Sequence, residues 1–218
     1  MKAMAFLLLS ALSFSSMASP NPDEMVGQVV KEVLLALSSD QRITREPYEL
    51  DRMVRRKVLP HFEVRTMARL IVGKDRWRDS SPQLKDELSD AFRTFLGHAI
   101  SGALSGYDGE KVNILSSSVG EGRALVRTEI LGDGRTELDY DIFYAHGAWM
   151  IYDVELDGLS IVKLYRLDFS RALLLGGASG LLDALQAKNR EVEKGWGDQV
   201  SDSRHAFSNS STGTGLPK

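Results

Sequence analysis

Near the middle of the chain the apolar residues switch from helical spacing to strict alternation, and nothing else in the sequence constrains the fold as tightly. Lys111 to Ser118, Arg123 to Leu131, Thr136 to Tyr144 and Ala148 to Leu156 read as four strands. The links between them, Gly120-Glu121-Gly122, Gly132-Asp133-Gly134 and His146-Gly147, are tight-turn sequences. Links this short join antiparallel neighbours, because a parallel crossover needs about a dozen residues or more. The expected element is therefore a four-stranded meander.

Alternation assigns the faces. Ala124, Val126, Thr128 and Ile130 share one face of the second strand, and Leu138, Tyr140, Ile142 and Tyr144 one face of the third. Met150, Tyr152, Val154 and Leu156 share one face of the fourth. Glu137, Asp139, Asp141, Asp153 and Glu155 point the other way, so that face reads as solvated. Phe143, Trp149 and Ile151 break the rule and ask for some cover there.

Helices precede the meander. Asn21-Pro22-Asp23-Glu24 is a helix start, and Val26, Val29, Val30, Val33 and Leu37 follow at helical spacing. Pro47 opens a second helix, with Leu50, Met53, Val54 and Val58 on one face, and Pro60 stops it. Phe62 to Val72 reads as a third, closed by Gly73. A longer helix starts at Ser80 or Ser81, with Pro82 in its first turn and Gln83 placed to complete a capping box with Ser80, and runs to about Gly106. Its stripe includes Leu84, Leu88, Phe92, Phe95, Leu96 and Ile100. After the strands, a helix is expected from about Gly158 to the break at Gly176-Gly177. It is apolar nearly all round, which predicts burial on more than one side. A short final helix carries Leu181, Leu182 and Leu185. Helices segregated from an antiparallel sheet make an α+β fold.

The ends differ from this body. Lys2, the apolar run from Ala5 to Leu12 and Ser16-Met17-Ala18 stand in the order of an export signal, so 1–18 reads as a signal peptide and 19–200 as one mature domain. The alternative is a buried N-terminal helix. From Ser201 the chain is rich in Ser, Thr and Gly, and 201–218 reads as a disordered tail. The expected location is the periplasm.

No cysteine is present, which excludes disulfides, thiolate metal sites and thiol nucleophiles. The net charge of −3 does not suggest a nucleic-acid partner. Basic residues gather between Arg52 and Arg78, and acidic ones between Glu129 and Asp157. They are either two solvated faces or one dipolar surface that orients the protein on a partner. His61, His98, His146 and His205 lie too far apart for a helical metal pair, and no phosphate loop or nucleophile elbow occurs. Gly177-Ala178-Ser179-Gly180 reads as a helix break. Asp139, Tyr140 and Asp141 are the one enzyme-like group, yet alternation puts Tyr140 on the face opposite both carboxylates. No catalytic residue, cofactor or metal is assigned.

Three segments carry a resemblance. The first is Val58-Leu59-Pro60-His61-Phe62 with Met67-Ala68-Arg69-Leu70 and Gly73-Lys74-Asp75-Arg76-Trp77-Arg78. The second is Ser101-Gly102-Ala103-Leu104 with Tyr107-Asp108-Gly109-Glu110-Lys111-Val112. The third runs from Trp149-Met150-Ile151-Tyr152-Asp153-Val154 through Gly158-Leu159-Ser160-Ile161-Val162 to Tyr165-Arg166 and Phe169. In this order and spacing they resemble the MlaC family, the toluene-tolerance proteins of Gram-negative bacteria. Glu63-Val64, Leu164 and Asp168 depart from the family pattern, where Asp-Phe, Asn and Gln are expected.

The resemblance implies a fold like that of nuclear transport factor 2, with helices packed on a curved four-stranded antiparallel sheet around an apolar cavity. It also implies a periplasmic shuttle for a diacyl phospholipid, monomeric, without a cofactor. Such a shuttle runs between an outer-membrane lipoprotein complex and an inner-membrane ABC transporter complex, and maintains outer-membrane lipid asymmetry. The expected cavity wall is Phe95, Ile100, Val126, Ile130, Tyr140, Ile142, Tyr152, Val154, Ile161, Tyr165 and Phe169, with Arg166 at the mouth. Periodicity alone reads the same residues as plain core, and Arg166 as a surface charge. Two other functions stay open: a periplasmic adaptor that binds only protein, and an isomerase or dehydratase of the same fold type.

Overall fold

The computed structural model describes the backbone of residues 21–210. The expected signal peptide and its cleavage site lie outside the described residues, as do the last eight positions of the expected tail.

The helical half begins with α1 (Pro22–Ser39), α2 (Gln41–Arg45) and α3 (Pro47–Lys57). The Asn21 N–H donates to Glu24 Oε2 at 3.3 Å, as expected at the start of α1. Pro60 ends α3 through a 3-10 turn, Leu59–His61. Phe62 does not begin the next helix. It forms a parallel bridge with Ile151, and Glu63 N–H donates to the Ile151 carbonyl at 2.8 Å. α4 (Val64–Val72) therefore starts late, and Gly73, at φ 91°, turns the chain into the short α5 (Lys74–Asp79). Ser81, not Ser80, caps α6 (Pro82–Leu104) by accepting from Leu84 N–H at 3.1 Å. The box with Gln83 does not form, and that side chain donates to Glu87 instead.

The sheet comprises β1 (Lys111–Gly120), β2 (Arg123–Leu131), β3 (Arg135–Ala145), β4 (Ala148–Leu156) and a fifth strand, β5 (Leu159–Ser160), paired in sequence order and antiparallel throughout. The extra strand has a local cause. Asp157 (φ 48°) and Gly158 (φ 78°) are both left-handed, and such a pair makes the tight hairpin turn that matches strand twist. His146-Gly147 does the same between β3 and β4 (φ 53° and 81°). The helix expected near Gly158 therefore starts three residues later, as α7 (Ile161–Asp168), capped by Ser160.

The sheet carries two bulges, and each bends it. In β1 the register slips at Leu115, between Ile114↔Thr128 and Ser116↔Arg127. In β4 it slips at Tyr152: Asp141 pairs with Asp153, but Ile142 pairs with Ile151. One extra residue inverts the faces of the first half of β4. Trp149 and Ile151 join the concave, helix-covered face beside Ile142, whereas Met150 and Tyr152 move to the outer face.

α8 (Ser170–Ser210) closes the chain and is kinked at Gly177 (φ 57°, ψ −139°). The break expected at Gly176-Gly177 is there, but the segment beyond it is far longer than a short helix. Its backbone continues helical to Ser210, across the boundary expected at Ser201. Gly180 permits the bend: a Cβ there would sit 2.6 Å from the Ala172 carbonyl oxygen. The second arm buries Leu181, Leu182 and Leu185 against α6, where Asn189 Nδ2 donates to the Ala91 carbonyl at 2.9 Å. The core thus lies between the concave face and the helices, with α6 at its centre through Leu88, Phe92 and Leu96.

Candidate functional site

The concave face is built by β2, β3 and β4. Val126 and Ile142 are fully buried, and Val154 and Ile151 nearly so. Ile130 and Tyr140 on the same face are incompletely buried. Opposite them, α6 and α7 bring four rings together. Phe95 meets Tyr165 edge-on at 4.9 Å between centroids and Phe169 at 5.4 Å. Phe92 stands 6.0 Å from Tyr165 and 6.1 Å from Phe95. These are the favoured geometries for aromatic pairs. Phe169 is buried, whereas Phe95, Ile100, Ile161 and Tyr165 are half-buried and pack against the core from its edge.

The expected wall therefore divides. Phe95, Ile100, Val126, Ile130, Tyr140, Ile142, Val154, Ile161, Tyr165 and Phe169 lie on the concave face or on the helices that cover it. Tyr152 does not. The β4 bulge puts it on the outer face, where its ring leans on Phe143 at 5.5 Å and its hydroxyl accepts from Arg123 at 3.1 Å. Arg166 is exposed, and its guanidinium lies over Gly73, 3.4 Å from where a Cβ would be. Phe92, Trp149 and Ile151 belong to the concave layer and were not assigned to the wall. The two β4 residues were flagged only as breaks in alternation.

Electrostatics within the layer are muted. Burial pushes the Tyr140 phenol up to about 12, with a hydrogen bond to Thr128 opposing, so it is neutral across the physiological range. Burial also raises Tyr165, with Asp168 adding to the effect. Asp139 and Asp141 face the other way. Asp139 pairs with Arg127 at 3.3 Å, and burial, with Asp153 and Glu155 nearby, raises Asp141. Tyr140 and the two carboxylates therefore stand on opposite sides of the sheet and cannot act on one substrate atom. Among the described residues no group of His, Asp and Glu could hold a metal ion.

Asp153 has a different place from the solvated one expected. It is buried at the junction of β4, β5 and α7. Its carboxylate accepts from Ser160 Oγ at 2.5 Å, Val154 N–H at 2.8 Å and Val162 N–H at 3.2 Å. Ser160 Oγ in turn accepts from Lys163 N–H at 3.1 Å. A negative group is thus fixed at the N-terminus of the helix that carries Ile161 and Tyr165.

Two open clefts flank α1, away from the wall. One, about 360 Å³, lies between Val30, Leu34 and Leu35 of α1 and Tyr107, Val112 and Ile114. The other, about 330 Å³, lies between Met25 and Val29 and the Trp149 and Met150 end of β4. Both are near the lower end of the roughly 300–1,000 Å³ usual for ligand pockets.

Residues 27–187, which span this whole arrangement, match the family model described as MlaC protein. The chain belongs to the MlaC family. A relative within reach of MlaC proteins is the toluene tolerance protein ttg2D of Pseudomonas putida, 21% identical over 211 residues, covering 94% of this chain and 93% of that one. A similar architecture appears in a phospholipid-binding protein from Ralstonia solanacearum, solved in complex with a phospholipid. It superposes with a TM-score of 0.73 at 20% identity, over 80% of this chain and 99% of that one. This likeness establishes the α+β fold with its open, curved antiparallel sheet.

Proposed function

We propose that the protein is a periplasmic phospholipid carrier, with the acyl chains held between the concave face of the sheet and the α6–α7 pair. The observation that carries this reading is the half-buried apolar layer itself. Phe95, Ile100, Ile130, Tyr140, Ile161 and Tyr165 face the interior yet retain access to solvent. Residues of plain core close up as Leu88 and Val126 do, at 0% exposure. Membership of the MlaC family and the phospholipid in the Ralstonia solanacearum structure support the same assignment.

Acyl chains would enter this layer by parting α7 from the sheet, with its N-terminal end held by Asp153. Arg166, outside the layer, is available to a phosphate headgroup and not to hydrocarbon. The carrier would exchange lipid with an outer-membrane lipoprotein complex and an inner-membrane ABC transporter complex, and so act in outer-membrane lipid asymmetry. It binds and releases but transforms nothing, in keeping with the separation of Tyr140 from the carboxylates.

Native mass spectrometry of the protein purified from a bacterium tests the reading. The expected result is a mass increment of one diacyl phospholipid, recovered in an organic extract. An unliganded mass with an empty extract would sink the carrier and favour an adaptor that binds protein alone.

A further inference from the structure

The helix pair α7–α8 was expected to bury its leucines on several sides. Instead Leu164, Leu167, Leu174 and Leu175 are 46%, 70%, 80% and 77% exposed. Leu167 lies opposite the buried Val162 and Phe169 on α7, and Leu174 and Leu175 are exposed two turns further on, on the first arm of α8.

The charges beside them are one-sided. Lys163, Arg166 and Arg171 are exposed on the same two helices, and Arg69, Lys74 and Arg76 are exposed on α4 and α5. Those helices pack on α7 and α8, and Arg166 itself reaches over Gly73 between α4 and α5. Among the described residues these six cations have no ion-pair partner. The other cations of the basic stretch largely do: Arg52 with Glu49, Arg55 with Asp51, Lys57 with Glu32, Arg65 with Asp86, and Arg78 with Asp75 and Asp79. Asp168 is the one carboxylate of α7. The local excess is positive in a chain whose net charge is −3.

We infer that this face docks on an anionic phospholipid bilayer. An apolar crest with flanking Lys and Arg is the composition of a helix that lies in a membrane interface. Anionic headgroups attract such cations without fixed partner positions, which suits side chains that no ion pair holds in place. The inference deepens the carrier reading, because α7 carries Tyr165 of the apolar layer on one side and Leu167 on the other. Seating α7 in the headgroup layer would put the lipid's path next to the bilayer.

Flotation of the purified protein with vesicles tests it. Binding is expected to vesicles containing phosphatidylglycerol. It should be at least tenfold weaker to pure phosphatidylcholine, and should fall similarly when salt is raised to about 0.5 M, where screening is short-ranged. The triple variant Leu167→Ser, Leu174→Ser, Leu175→Ser should lose at least tenfold in binding, and Lys163→Glu with Arg171→Glu the same. Because all five side chains are exposed, far-UV circular dichroism and the melting midpoint should stay as in the parent. Equal binding to neutral vesicles, no binding, or undiminished binding by folded variants would overturn the inference. So would a dimer that the leucine variant dissolves while vesicles are ignored, which would assign the face to a second copy. Organic extraction of the purified protein before any vesicles are added separates the two claims. Extractable lipid without flotation rejects the docking face alone, and flotation without extractable lipid rejects the carrier alone.

Discussion

Replacing Asp153 with alanine tests whether α7 is held to the sheet by one buried carboxylate. Asp153 is 9% exposed and accepts from Ser160 Oγ, Val154 N–H and Val162 N–H. Alanine leaves the Val162 amide at the helix N-terminus and the neighbouring Val154 amide without this acceptor. A stranded buried polar group costs about 1–3 kcal/mol, and a carboxylate at a helix start contributes about 0.3–2 kcal/mol. Two such amides at the low to middle part of that range, with the helix-start contribution, give a total on the order of 3–5 kcal/mol. For a chain of this size each kcal/mol moves the melting midpoint by about 2–4 °C, so Asp153→Ala should melt roughly 6–20 °C lower. Asp153→Asn keeps an acceptor oxygen but loses the charge, and should fall between the two.

Thermal melts followed by far-UV circular dichroism measure the shift, and amide hydrogen exchange locates it. Protection should drop first at Val162 and Lys163, because these amides bond to Asp153 and to Ser160. Bound phospholipid should fall as well, since α7 carries Ile161 and Tyr165. A midpoint within about 3 °C of the parent, with unchanged protection in α7, would refute the reasoning and leave Asp153 an incidental buried acid.

Gly177→Ala should destabilise by about 1–3 kcal/mol in a urea titration, because φ 57° with ψ −139° is a conformation essentially restricted to glycine. Gly176→Ala, with nothing within 4 Å of its added Cβ, should be neutral or slightly stabilising, and equal losses at both positions would refute the kink argument. Burial lowers the pKa of His98, and of His61, below the ordinary histidine value, while Asp51 and Glu193 raise that of His98 and Arg55 lowers it. The unfolded chain then binds more protons, so stability should fall as pH drops below about 6.5. His98→Gln should flatten that slope in melts between pH 7 and 5, and an unchanged slope would exclude His98. Ile100→Trp with Ile130→Trp should fill the half-buried layer, keep the fold and at least halve the extractable phospholipid. Undiminished lipid in the folded double variant would return both residues to ordinary core.

Much of the architecture was legible because local chemistry and global packing agree. The meander followed from alternation and short glycine turns, and the start of α1 and the break at Gly176-Gly177 from single-residue signals, whereas the cap of α6 was left between Ser80 and Ser81. The β4 bulge was not legible in the same way. Alternation assumes one residue per pleat, and an inserted residue inverts the strand without changing its composition. Tyr152 was therefore assigned to the wall and Ile151 to the solvated face. A trace did exist, since Trp149 and Ile151 are large apolar residues that an outer face does not explain. Asp153 was misplaced for a related reason: its partners come from β5 and α7, and a two-residue strand leaves almost no pattern to read. The leucines of α7 and α8 show the opposite failure. Burial was inferred from hydrophobicity, but apolar residues also stand on surfaces that meet another apolar phase.

The half-buried layer and the exposed leucines answer one energetic problem. Burying hydrocarbon is worth about 0.8 kcal/mol per CH₂, so a chain of about fifteen methylenes is held against water by about 12 kcal/mol. Two such chains exceed the roughly 18–21 kcal/mol at which non-covalent affinity saturates. Release into water is therefore closed as a route, and a carrier works only if lipid passes from one apolar phase to another. In a bilayer the lipid is equally sheltered, so the exchange can be close to balanced, and its rate depends on the barrier. Packing like that of Val126 or Leu88 throughout the layer would make the barrier the cost of breaking a core. Phe95, Ile100, Ile130 and Tyr165 are instead only partly covered, so parting α7 from the sheet gives up less contact. In the proposed carrier Asp153 would limit how far α7 can part from the sheet, since its bonds to Ser160 and Val162 hold the N-terminal end. If Leu167, Leu174 and Leu175 are seated in headgroups as inferred above, lipid leaving this layer would pass toward the bilayer and not toward water.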